Sequence, residues 1–109
     1  MRGWKVHYEP EQGILTVGPL RGKSMSVKVV GVGQSQNSGV RYLAYELHDE
    51  EELPDKHESA LVDYLNKNHQ GPWELVPAEV LNNNWNGLSP RERERLLMRE
   101  GFDATVELP

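Results

Sequence analysis

Cysteine is absent from the 109 residues, and phenylalanine occurs once. The first absence removes disulfide staples, thiol nucleophiles and thiolate metal sites together. Long hydrophobic runs are missing as well: no stretch approaches the roughly 18 apolar residues that span a bilayer. The opening Met1-Arg2-Gly3-Trp4-Lys5 leads to polar His7 and Glu9 rather than to the apolar centre of a signal peptide. These absences predict a soluble, unprocessed, cytoplasmic protein with no membrane partner. Positive charge is also scarce, 12 Lys plus Arg against 17 Asp plus Glu, for a net charge of −5. General nucleic-acid binding draws its affinity from clustered cations, so this balance argues against it.

What is present is enough to fold. Hydrophobic residues make up 37% of the chain and include three Trp and four Tyr, a content that disordered chains lack. The length suits one domain spanning 1–109. Charge is uneven along it: residues 1–46 carry six Lys or Arg against three Glu, whereas residues 47–70 carry seven acids against two Lys.

The region 1–47 reads as strands. Trp4, Val6 and Tyr8 alternate with Lys5 and His7, Pro10 to Gly13 offers a turn, and Ile14-Leu15-Thr16-Val17 runs up to Gly18-Pro19. A second pair, Ser26–Val32 and Val40–Leu47, flanks the polar linker Gly33–Gly39. Its β-branched and aromatic content predicts two more antiparallel strands, giving a four-stranded meander. The region 48–101 reads as helices. Ala60, Leu61, Tyr64 and Leu65 recur at helical spacing within 55–69, where Asp55 and Glu58 suggest a capping box. Pro77 is placed to start a short helix through Leu81. Ser89, Pro90 and Glu92 open a third helix that Gly101 ends, and 102–108 suits a final strand. The expected class is α+β, with a four- to five-stranded antiparallel sheet packed on one face against two or three helices of the C-terminal half.

Leu88-Ser89-Pro90-Arg91-Glu92-Arg93-Glu94 resembles the opening helix of LuxR-type DNA-binding domains over about a tenth of the chain. Such domains need two further helices, and Gly101–Pro109 favour a strand instead. The similarity is one of helix-capping chemistry, and no DNA-binding residue is carried over.

Four features bear on function. His48-Asp49-Glu50-Glu51-Glu52, with Asp55, His57 and Glu58 nearby, concentrates oxygen and imidazole groups. It matches neither a His-Glu-x-x-His pattern nor a calcium-binding loop, so it predicts an acidic docking surface rather than a metal site. The linker Gly33, Gln34, Ser35, Gln36, Asn37, with Arg21, Lys23 or Arg41 as anion partners, is the alternative ligand site. Phosphate-cradling glycine loops join a strand to a helix, however, and here both flanks read as strands. Trp85 stands inside the polar run Asn82–Gly87 and reads either as a core residue or as an interface anchor. Arg91, Arg95 and Arg99 form a stripe diluted by Glu92 and Glu94.

No serine sits in a nucleophile-elbow context, which turns the reading away from an enzyme, and no cofactor is implied. The leading expectation is a non-catalytic module, an inhibitor or adaptor, that binds another protein through Asp49, Glu50, Glu51, Glu52, Asp55 and Trp85. One version is a phage or mobile-element inhibitor that offers carboxylates where phosphates would bind. The alternative is a small-molecule or nucleotide binder, or an enzyme acting on such a ligand, that uses the glycine-rich hairpin loop.

Overall fold

The alternation in the first nine residues forms strand β1 (Trp4–Glu9), with Trp4, Val6 and Tyr8 half-buried and Lys5, His7 and Glu9 exposed. It pairs antiparallel with β2 (Ile14–Pro19), which pairs with β3 (Met25–Gln34), which pairs with β4 (Arg41–Leu47). This is the expected meander. The computed structural model describes residues 2–48, 52–105 and 107–108. Among them the architecture is α+β, a mostly antiparallel six-stranded sheet followed by three helices in the C-terminal half.

Two strands account for the larger sheet. Trp73–Pro77 forms β5, which lies parallel to β4 with Arg41 opposite Trp73 and Tyr45 opposite Pro77. Parallel neighbours require a crossover, and α1 (Asp55–Asn68) supplies it. The segment is short and bracketed by prolines, and Pro77 is tolerated because it ends an edge strand. The final strand, β6, is limited to Phe102–Asp103 and pairs with Val32 and Gly33 of β3. β2 covers β3 only up to Lys28, so β6 continues the same edge further along.

The helices cover opposite faces, not the single face that the sequence suggests. Leu15, Val17, Val27, Val29, Leu43 and Tyr45 pack with Ala60, Leu61 and Leu65 of α1 and with Trp73. Ala44 belongs to a second cluster, with Ala78 of α2 (Ala78–Leu81), Trp85, Leu96 and Leu97 of α3 (Pro90–Arg99), and Phe102. Successive strand side chains point to opposite faces, so Leu43 and Tyr45 meet α1 while Ala44 meets α3. A bulge in β3 between Val29 and Gly31 makes this arrangement possible. Alternation places Val30 opposite Val29, on the side of the second cluster, and the bulge keeps Gly31 on that side too, against Phe102 and Leu97.

Helix ends follow the sequence unevenly. Ser89 caps α3, its Oγ accepting from Glu92 N at 3.2 Å while Glu92 Oε1 accepts from Ser89 N at 3.1 Å. These bonds hold the Glu92 carboxyl below its usual range. Gly101 follows α3 at φ +86°, a left-handed turn that glycine adopts without strain. At α1, by contrast, Pro54 holds the cap position with no side-chain bond, and Asp55 is the first helical residue rather than the cap. Asp55 and Glu58 instead lie in the first turn, where negative charge suits the helix dipole.

At Gly33 the chain entering β6 presses on β3: a Cβ there would lie 2.7 Å from Gly101 O. Gly33→Ala should therefore lower stability by about 1–3 kcal/mol, read as a reduced urea midpoint, through displacement of β6.

Candidate functional site

The carboxyl ends of β4 and β5 lie side by side, and the chain leaves both there: from β4 into the acidic segment and from β5 into α2. Crevices beyond the carboxyl ends of neighbouring parallel strands are common ligand sites. Here a cavity of about 500 Å³ is lined by Tyr45, Glu46, Leu47 and His48 at the end of β4 and by Glu52 and Leu53 of the connecting segment. Pro77, Ala78 and Glu79 close it on the β5 side, and Trp85 and Asn86 on the α3 side. A neighbouring cavity of about 420 Å³ shares Glu46, Leu47, His48 and Asn86 and adds Ile14, Ser26, Lys28 and Arg93. Glu46 thus stands in the wall between an acidic hollow and a mixed one.

Glu46 is firmly held. Trp85 Nε1 donates to Glu46 Oε2 at 2.7 Å, Lys28 Nζ lies 3.6 Å from Oε1, and Arg93 Nη1 lies 4.0 Å from Oε2. Arg93 also donates from Nε to Trp85 O at 3.0 Å, with its guanidinium 5.1 Å from the centroid of the Trp85 ring. The asparagine run explains how an indole in a polar loop becomes buried. Asn82 Oδ1 accepts from Asn84 N at 2.8 Å, Asn82 O accepts from Trp85 N at 3.0 Å, and Trp85–Gly87 forms a 3₁₀ turn. These bonds turn Trp85 inward until it is 3% exposed.

The opposite wall is uncommitted. Glu52 and Glu79 are exposed and form no ion pair among the described residues. Tyr45 is buried, and its hydroxyl has no hydrogen-bond partner among the described residues. Burial first, then the charges of Glu58 and Glu79, push its pKa up to about 12, so the phenol keeps its proton. No group of three or more His, Cys, Asp or Glu among the described residues is arranged to hold a metal ion.

Of the predicted docking residues, Glu52 lines the cavity, Trp85 forms its buried floor, and Asp55 is exposed in the first turn of α1 without lining it. Asp49, Glu50 and Glu51 fall outside the described residues. The alternative site lies elsewhere. Gly33 and Gln34 end β3 and Arg41 begins β4, about 20 Å of strand away from the cavity. In that loop Ser35 N donates to Val40 O at 2.8 Å and Gly39 N to Ser35 O at 2.9 Å. Ser38 N and Val40 N donate to the Ser35 and Ser38 hydroxyls at 3.4 and 3.3 Å. Four amides are thereby used within the turn that contains Gln36 and Asn37. The Arg41 guanidinium lies 5.8 Å from the Trp73 ring centroid. Arg21 and Lys23 precede β3, at the end opposite to this loop, and cannot act with it. Glu46, Tyr45, Glu79 and Arg93 were not singled out by sequence. The available signal was Tyr42-Leu43-Ala44-Tyr45, a strand apolar on both faces and so covered on both.

No protein family matches this chain, no curated protein matches it, and no solved structure matches it.

Arg93 should matter more to stability than Lys28, because Lys28 is a mostly exposed ion-pair partner while Arg93 also bonds the Trp85 carbonyl. Arg93→Ala should cost about 1.5–3 kcal/mol, and Lys28→Ala no more than about 1 kcal/mol, both measured by urea denaturation.

Proposed function

We propose that this protein is a non-catalytic interaction module, an inhibitor or adaptor, that binds a partner protein through the acidic end of its sheet. The observation that carries the reading is the cavity at the ends of β4 and β5, whose lining includes Glu46, Glu52 and Glu79 and which the acidic segment borders through His48 and Glu52. Carboxylates gathered on one surface steer and select partners of opposite charge. The partner surface is accordingly basic. No helix among the described residues is long and apolar enough to cross a membrane, so the reading needs no bilayer. The hairpin loop is the weaker candidate, since its amides serve its own turn.

The test is capture of a partner from host lysate by the tagged protein at two salt concentrations. Reversing Glu50, Glu51 and Glu52 to Lys should abolish capture while leaving the circular dichroism spectrum and the urea midpoint unchanged, and raised salt should weaken it. Capture that survives the triple reversal and high salt would contradict the reading.

A further inference from the structure

We infer that the cavity at the ends of β4 and β5 receives an arginine side chain presented by the partner; this deepens the proposed acidic docking surface and rests on it. The second observation, beyond the carboxylates, is Tyr45. It is 7% exposed, it forms part of the cavity wall, and its hydroxyl lacks a hydrogen-bond partner among the described residues. Its side chain is buried while its hydroxyl is open to the cavity, so the hydroxyl can bond a group that enters from outside the chain.

The chemistry of the wall selects that partner. Glu52 on the connecting segment and Glu79 on α2 offer acceptors from two sides, and neither is committed to an ion pair among the described residues. The Tyr45 hydroxyl adds a third position, an oxygen that can accept from an N–H. Three acceptors on three different elements suit a planar guanidinium with five divergent donors better than a compact ammonium. Leu47, Leu53 and Pro77 give apolar surface for an aliphatic stem. Glu46 does not take part directly. Trp85, Lys28 and Arg93 already occupy it, so it fixes the floor while the other carboxylates face the ligand.

The probes are three capped pentapeptides with arginine, citrulline or lysine between pairs of glycines, titrated into isotopically labelled full-length protein and followed by amide chemical shifts. Citrulline keeps the size of arginine and loses its charge. The arginine peptide should shift the amides of residues 45–48, 52–53, 78–79 and 85–86, with the lysine peptide weaker and the citrulline peptide silent. Glu52→Gln with Glu79→Gln should weaken the arginine peptide by roughly tenfold. Tyr45→Phe, which removes a hydroxyl without a partner, should keep the fold and weaken binding by about fivefold. Equal responses to arginine and citrulline, equal responses to arginine and lysine, or binding unchanged by the double Gln variant would overturn the inference. If the peptides fail while the triple charge reversal still abolishes partner capture, the docking surface stands and only its arginine chemistry falls. If the arginine peptide binds but capture survives the reversal, the wider reading fails by itself.

Discussion

Strand β3 must satisfy three neighbours at once, and the bulge between Val29 and Gly31 is how it does so. Before the bulge β3 lies between β2 and β4, with Val27 and Val29 buried under α1. Beyond it the edge passes from β2 to β6, and Val30 and Gly31 meet the cluster built by α3 and Phe102. Without this extra residue, period-two alternation would turn every later side chain of β3 to the other face. The second layer depends on it: Gly31 and Gly33 leave room for Phe102 and Gly101, and Leu97 packs beside them.

That second layer makes the site. Because α1 and α3 cover opposite faces, the carboxyl end of β4 emerges between them, with Tyr45 turned to one layer and Glu46 to the other. A half-buried carboxylate is unfavourable unless its oxygens are bonded, and Trp85 from the far layer provides the bond. The result is a division of labour along one wall. Glu46 ties sheet to loop, whereas Glu52 and Glu79 remain exposed at the mouth and contribute little to holding the fold.

What was legible in the sequence was local. The alternation of Trp4 to Glu9, the turn before Ile14, the stripe Ala60, Leu61 and Leu65, and the Ser89 capping box are encoded within a few residues, and each folds as its pattern implies. Trp85 was legible only as an alternative between core and interface, and the turn bonds of Asn82 that carry the indole inward are seen in the structure alone. What was not legible is non-local. β5 reads as a strand only beside β4, and the bulge only from the register of β3 against β4. The Trp85 bond to Glu46 joins residues 39 positions apart, a distance no local pattern spans. Asp55 misled because its cap-forming chemistry competes with Pro54, whose extended backbone already occupies the cap position.

The central claim is that the Glu46–Trp85 bond ties the sheet to its second layer at the site, and a double-mutant cycle addresses it directly. Urea stabilities of Glu46→Ala, Trp85→Phe and the double variant separate the bond from the loss of packing that each substitution brings. The account predicts a favourable coupling energy of about 1–3 kcal/mol, as for a hydrogen bond to a charged acceptor. Additivity to within about 0.3 kcal/mol would contradict it, since that is the behaviour of residues that do not interact.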